Sequence, residues 1–410
     1  HAVKEARVMA ELYPRVLEQA EAAKAADIGF CLDAEETDRL VIQMKVLERL
    51  AREPSLAGWN GLGLALQAYQ KRCLAVIERL ADLGAETGRR FLVRLVKGAY
   101  WDTEIKYAHQ MGWPDFPVWT TKQATDLNFL ACARAMLEAK DAIYPQFATH
   151  NAHTLCSVRE IAKSAGNESY EFQRLHGMGE PLYDAAFAQF EMKPVRVYAP
   201  VGSHEDLLPY LVRRLLENGA NTSFVHSFLD PDVPPEEVAR GPFEGADALD
   251  RHPFISAPLE LYGPRRRNAA GIDLSQAAVR SRLEQAQANF DAGAPYEAGA
   301  IVNGRELCVG GEARFSPADD RFEVARVRDA DDKAVDQAFE AAVSAFAEWD
   351  AKGGPARAQI LRAMANALEA DADRLIALMA RETGKTLADG VAEVREAVDF
   401  LRFYAVEAED

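Results

Sequence analysis

Arg90-Phe-Leu-Val-Arg-Leu-Val-Lys-Gly-Ala-Tyr-Trp-Asp102 is the stretch whose reading decides the fold. Phe91 to Val96 is a short apolar run with β-branched residues, which reads as a buried strand rather than a helix. Two cations, Arg94 and Lys97, sit in or just after it, and charge enters a buried strand when something there pairs with it. Side chains alternate along a strand, so Arg94, Val96 and Gly98 share one face while Leu95 and Lys97 share the other. Gly98 ends the strand where bare backbone can approach a ligand, and the aromatic pair Tyr100-Trp101 follows. The stretch reads as a strand that delivers an arginine and a backbone edge to a bound molecule.

Five more segments of this kind flank it. Asp27–Asp33, Gly61–Gln67, Ile143–Asn151, Tyr170–Gly177 and Pro194–Val201 read as strands. Helical patterns over 2–25, 35–52, 71–83, 126–140, 152–164 and 207–218 alternate with them, the last capped by Gly219. The segment between Trp101 and Asp126, rich in Trp and Pro, reads as a loop. Six alternations indicate parallel β/α units. Each strand ends on a polar or functional residue: Asp33, Gln67, Gly98 to Trp101, Thr149-His150, Leu175-His176 and Tyr198. That recurrence favours a (β/α)8 TIM-like barrel, whose site lies at the strand carboxyl ends, over a doubly wound sheet with one switch point. A closed barrel needs eight units and six are seen. The first residue is His1 rather than Met, so the expectation is an α/β barrel lacking its first strands.

Composition narrows the class. The chain has 410 residues, 49% hydrophobic and 27% charged, with a net charge of −17. That balance argues against a general nucleic-acid binder, whose phosphate contacts need clustered Lys and Arg. No apolar run is long enough to span a bilayer. Five dispersed cysteines without a C-x-x-C pair suggest reduced thiols in a cytoplasmic-type compartment. From about Ser227 the pattern changes, and residues 230 to 270 read as an irregular linker containing Pro264-Arg-Arg-Arg267. After a helix at 277–292, the segments 300–306 and 315–319 open a new module. Its bulk reads as two Ala-rich helices, 333–349 and 355–383, followed by 387–407. The expected domains are 1–228, a barrel; 229–298, a connecting region; and 299–410, an incomplete second module.

The chemistry has open alternatives at this level. Arg94 reads either as a ligand-facing cation or as half of an ion pair inside the barrel. Lys97 invites a Schiff-base aldolase reading, but strand parity turns it away from Arg94 and toward the helices. His150, His153 and Cys156 have suggestive spacing, yet His150 falls at a strand end and no third ligand is placed, so no metal is expected. Arg213-Arg214 with Glu217 reads equally as a solvated helix flank or as a paired fork for a carboxylate.

Longer motifs then carry a resemblance. Arg94-Leu-Val-Lys-Gly-Ala-Tyr-Trp101, Tyr144-Pro-Gln-Phe-Ala-Thr-His-Asn-Ala-His153, Phe172-Gln-Arg-Leu-His-Gly-Met-Gly179, Tyr198-Ala-Pro-Val-Gly202 and Tyr210-Leu-Val-Arg-Arg-Leu-Leu-Glu-Asn218 resemble the proline dehydrogenases. More closely, they resemble the bifunctional proline utilization A flavoenzymes, with residues 299–410 similar to the start of their aldehyde dehydrogenase module. The resemblance implies oxidation of L-proline to Δ1-pyrroline-5-carboxylate with FAD, electrons passing to a membrane quinone. It also implies NAD-linked oxidation of glutamate semialdehyde by the second module. By motif, Arg94 supports the reduced flavin, and Val96, Lys97 and Gly98 line it with backbone. Gln67, Trp101, Thr149 and His150 bind other parts of it, with Ala34 beside the cofactor and Asp33 facing the active site. Arg213 and Arg214 clamp the proline carboxylate, Tyr198 and Leu175 close over its ring, and Glu217 orients the arginines and reaches the cofactor. The implied setting is cytoplasmic, peripheral at the inner membrane when reduced, with a homodimer among the assemblies it allows.

Two departures accompany the resemblance. The family has two further barrel strands upstream, the second bearing a substrate-binding lysine. The aldehyde dehydrogenase part stops before an NAD-binding fold or catalytic cysteine, and Glu382-Thr-Gly-Lys-Thr386 lacks the glycine spacing of a P-loop. This stretch alone is therefore expected to be weakly active or inactive. An aldolase using Lys97 and a non-catalytic barrel scaffold stand as the competing readings.

Overall fold

The expected strands form, and all run the same way. They are β1 (Phe30–Leu32), β2 (Leu62–Gln67), β3 (Phe91–Val96), β4 (Ile143–Ala148), β5 (Glu171–Leu175) and β6 (Val195–Tyr198). They make one curled six-stranded sheet in chain order, every neighbouring pair parallel. The structure, a computed structural model, describes residues 2–219, 234, 241–243, 251–307 and 310–410. It divides into two units, His1–Tyr107 with Phe116–Ile255, and Ala108–Asp115 with Ser256–Asp410.

Alternation along β3 is strict. Phe91, Val93 and Leu95 are fully buried, while Leu92, Arg94 and Val96 are only half-buried. The buried set joins Leu62, Leu64, Leu66, Ile143, Phe147 and Phe172 in one core on the helix side of the sheet. Phe147, Tyr170, Phe172 and Tyr183 meet there, three of the pairs edge-on and Phe147–Phe172 tilted, with ring centroids 5.7 to 6.4 Å apart. Burying each such ring is worth about 1.5–3 kcal/mol, and the edge-on geometry adds roughly 0.5–1.5 kcal/mol per pair. The opposite face is polar. Register sets Arg94 beside Gln146 and Gln146 beside Glu171, and in the next layer Gln173 beside Arg196.

The helices of this unit are α1 (Glu5–Glu11), α2 (Tyr13–Ala25), α3 (Leu40–Ala51), α4 (Cys73–Thr87), α5 (Trp101–Met111), α6 (Lys122–Glu138), α7 (Ala152–Ala165), α8 (Glu180–Gln189) and α9 (His204–Gly219). Three differ from expectation. The single helix expected over 2–25 is divided at Leu12, with Pro14 in the first turn of α2, where its missing N–H costs nothing. The expected loop after Trp101 is helix α5, opened by Asp102 and Glu104 in its first turn. Helix α8 went unread, because its ten residues mix small and aromatic side chains without a clear stripe.

The second unit has a mixed sheet that the helix-dominated reading omitted. Strands β7 (Tyr296–Val302), β8 (Arg305–Leu307), β9 (Glu312–Ser316) and β10 (Asp319–Arg328) lie in the order β8-β7-β10-β9, with β7 and β10 parallel and the outer pairs antiparallel. Its helices are α10 (Ala277–Gly293), α11 (Asp332–Ala351), α12 (Gly353–Ala370), α13 (Ala372–Glu382) and α14 (Leu387–Glu407). The helix expected over 355–383 is thus two. The break falls at Asp371, whose carboxylate is gripped by Arg374, and it lets Ile376 and Ala377 be buried. Cys308 and most of the expected connecting region before Arg251 lie outside the described residues. Among the described residues no helix is long and apolar enough to cross a membrane.

Candidate active site

In a parallel sheet all carboxyl ends face one way, so the residues after β1 to β6 converge without further design. Asp33, Gln67, Gly98, Thr149-His150, Leu175 and Tyr198 all end strands of this sheet. A cleft of about 540 Å³ lined by Arg90, Tyr144, Glu168, Ser169 and Pro194 lies at the opposite, amino ends of the strands, away from this convergence.

Arg94 is central. Its Nη2 donates to Asp33 Oδ1 at 2.5 Å, and its guanidinium lies 5.5 Å from the centroid of the Tyr198 ring. Its Nε is buried with no hydrogen-bond partner among the described residues. Burial works against the Arg94 charge, but Cys31, Asp33 and Tyr198 outweigh it and raise the pKa above the ordinary arginine value. Cys31, in β1 on the same face of the sheet as Arg94, has its thiol pushed up to about 11 by burial, with Arg94 opposing and Asp33 adding to the shift.

Gln67 donates from Nε2 to the Glu35 carbonyl at 2.6 Å, while its buried Oε1 has no partner among the described residues. Glu35 also accepts from the Tyr100 hydroxyl at 2.8 Å. Gly98 sits at φ +133°, and a Cβ there would lie 2.6 Å from the Tyr69 ring, so only glycine brings the chain this close. Two orphaned buried polar atoms and a bare backbone edge, on adjacent strand ends, suit a ligand rich in hydrogen-bonding groups such as a flavin. The residues present fit that group.

Other candidates are engaged elsewhere. Lys97 turns to the helix side as parity requires, its Nζ 2.5 Å from Asp126 Oδ1 on α6, and Asp126 also holds Lys122 at 2.6 Å. Burial, countered by Asp126, keeps the Lys97 pKa below the usual lysine value. Trp101 donates its indole N–H to the Trp119 carbonyl at 2.8 Å. The Leu175 N–H donates to His150 Nε2 at 3.3 Å, and the Asn151 N–H to Thr149 Oγ1 at 3.1 Å. Ala34 follows Asp33, whose Oδ1 accepts the Ala34 N–H at 3.0 Å. Arg213, Arg214 and Glu217 fall on α9, but their side chains lie outside the described part of the structure.

Sequence reasoning missed the groups that organise these loops. Glu35 and Glu104 were not singled out, nor was the Glu171 cluster, and Tyr100 was marked only as half of the aromatic pair after β3. Glu171 accepts from Arg196 at 2.7 and 2.9 Å, from Gln146 at 2.9 Å and from Gln173 at 2.8 Å. The signal available was a glutamate and two glutamines at ligand-facing positions of otherwise apolar strands.

The curled sheet and the convergence at its carboxyl edge place this unit in the β/α-barrel class, with six of the strands present. A proline dehydrogenase family model matches residues 2–227, and an aldehyde dehydrogenase family model matches residues 311–410. The chain belongs to the proline dehydrogenase family. It is 45% identical to the bifunctional protein PutA of Escherichia coli over 98% of its own length and 32% of that protein. With the bifunctional protein PutA of Rhizobium meliloti the identity is 43%, over 98% and 33%. The chain therefore spans about a third of the length of these relatives. Among solved structures, the D779W mutant of Bradyrhizobium japonicum PutA covers 99% of the chain, and the match takes in 38% of that protein, at 43% identity and a TM-score of 0.84. PutA of Bdellovibrio bacteriovorus inactivated by N-propargylglycine matches 100% of the chain and 42% of that protein, at 30% identity and a TM-score of 0.89.

Proposed function

We propose that the chain serves the FAD-dependent oxidation of L-proline to Δ1-pyrroline-5-carboxylate, with electrons passing on to a membrane quinone. In this reading residues 1–228 are the proline dehydrogenase module and residues 299–410 open an aldehyde dehydrogenase module that oxidises glutamate semialdehyde with NAD. It is an enzyme of the cytoplasm that meets the inner membrane when reduced.

The observation that carries the proposal is the pairing of Arg94 with Asp33 beside two orphaned buried polar atoms, in a chain of this family. Bound FAD supplies the two-electron acceptor. Arg94, Gln67 and the backbone of Val96, Lys97 and Gly98 would hold it, with Ala34, Trp101, Thr149, His150 and Glu217 around it. Arg213 and Arg214 clamp the proline carboxylate as two forks, which fixes the ring carbon in place. Leu175 and Tyr198 cover the ring and exclude water, and Asp33 holds the Arg94 charge in position.

The test is spectroscopic. The chain together with the barrel strands that the family carries upstream should show a visible flavin spectrum that bleaches when L-proline is added without oxygen. Flavin that is bound but not bleached by proline overturns the proposal. The ion pair of Lys97 with Asp126 weighs against the aldolase reading, which predicts borohydride trapping of a carbonyl compound on Lys97.

A further inference from the structure

Glu104 stands in the first turn of α5, where an acidic residue is ordinarily a solvated partner of the helix dipole. Here it is only 2% exposed. Both of its oxygens are used by one residue far away in sequence: Thr37 donates its backbone N–H at 2.7 Å and its hydroxyl at 2.7 Å. No ion pair of Glu104 is seen among the described residues. A buried carboxylate without a cation is costly, and an apolar side chain would fill the space more cheaply. Burial, with Asp38 and Glu36 nearby, raises its pKa despite the Thr37 bonds.

What the carboxylate grips explains its retention. Thr37 closes the loop Asp33-Ala-Glu-Glu-Thr37, which is too acidic to be drawn to a further carboxylate by charge. Directed donors are what hold it. Arg72 donates to the Thr37 carbonyl from the other side. The same loop presents Asp33 to Arg94, and Glu35 to Tyr100 and Gln67.

We propose that Glu104 is a positioning residue for the site, gripping Thr37 so that loop 33–37 holds Asp33 against Arg94. It acts through the loop and touches neither substrate nor cofactor. The catalytic part of the test rests on the proline reading above; the structural part does not.

In the FAD-loaded protein that includes the family's upstream barrel strands, Glu104→Ala should raise amide hydrogen exchange across residues 33–39 by about ten-fold. If the loop is in place for only a fraction of the time, apparent affinity falls by that fraction. KM for L-proline should then rise about five- to ten-fold, with kcat within about two-fold. Glu104→Gln should restore both readouts, since its amide oxygen accepts the Thr37 N–H and its amide nitrogen donates to Oγ1. Thr37→Val, which removes only the hydroxyl, should give an intermediate exchange rate and keeps the test open should Glu104→Ala not fold. Unchanged exchange over 33–39 in the variants that fold, or Glu104→Gln no better than Glu104→Ala, overturns the proposal. A wild-type flavin that proline does not bleach overturns the proline reading and leaves the exchange result to judge Glu104.

Discussion

The Glu171–Arg196 pair joins two groups of very unequal exposure, and that inequality predicts which partner matters more. The Glu171 side chain is 4% exposed and that of Arg196 is 61% exposed. Burial pushes the Glu171 carboxyl up, but bonds from Arg196, Gln173 and Gln146 outweigh it and leave the pKa below the ordinary glutamate range. Replacing Glu171 by Gln leaves an arginine that water can solvate, and the new amide can still accept from Gln146 or Gln173. The cost should be about 1–2 kcal/mol. Replacing Arg196 by Ala leaves a buried carboxylate with two amides and a Tyr144 hydroxyl at 3.4 Å. Breaking a buried pair this way costs about 3–5 kcal/mol, and the lower end applies because only one partner is deeply buried. The sign with pH separates the two variants. In the wild type the depressed pKa gives stability that is present above the ordinary glutamate pKa and lost only as pH falls through the lower folded value. In Arg196→Ala burial should drive the carboxyl above the ordinary range, so its deficit is full near pH 8 and shrinks as pH falls toward 5. The Glu171→Gln deficit should be flat over that range. Urea unfolding at pH 8 and pH 5, followed by tryptophan fluorescence, measures all four quantities. Equal costs for the two variants at pH 8, or an Arg196→Ala deficit independent of pH, refute the reasoning.

Three further outcomes are expected. Gly98→Ala places a methyl against the Tyr69 ring at positive φ. Strain and overpacking together should cost about 2–4 kcal/mol, read as a fall of roughly 5–10 °C in the thermal midpoint with loss of bound flavin. Full flavin content would count against the close approach. Lys97→Met removes one cation from Asp126, which keeps Lys122, so about 1–2 kcal/mol should be lost in urea titration while the flavin spectrum survives. Loss of the flavin with unchanged stability would show the parity argument to be mistaken. In the second unit, Arg402→Ala leaves Glu369 with Arg267, at 3.4 Å, and the Ala270 N–H, at 2.7 Å. Glu369 is pulled below the ordinary range by Arg402, Ala270 and Arg267 against burial, so this stability is present above the ordinary glutamate pKa and lost as pH falls through the folded value. A cost of about 3 kcal/mol near neutral pH is expected by calorimetry, and a negligible one would mean the buried arginine is dispensable.

What could be read from sequence was what repeats along the chain. A two-residue period set Arg94 and Lys97 on opposite faces, and the ion pairs with Asp33 and Asp126 follow that division. The strand ends were visible because a polar residue, or in one case a glycine and an aromatic pair, follows each of the six apolar runs. Helix α5 was not visible, since Tyr100-Trp101 and the prolines after it mask a helix whose apolar positions are few. The division at Asp371 was equally hidden, because residues 355–383 are good helix formers throughout and the break depends on what packs around it. Glu104 and Glu171 look in sequence like ordinary charged residues. Their burial is a property of neighbours 67 and 25 positions away, and no local pattern carries it.

The sheet's chain-order pairing has a consequence for how it assembles. Each strand docks on the one made just before it, so every pairing closes a short loop and the sheet can lengthen in the direction of synthesis. The step from Phe91 to Ile143 is the exception, about twice as long as those from Gly63 to Leu92 or from Gln146 to Glu171. Doubling a loop adds only about 0.6 kcal/mol of closure entropy. The crossing between β3 and β4 is therefore an inexpensive place to lengthen this chain, and it is where α5 was accommodated with its buried glutamate.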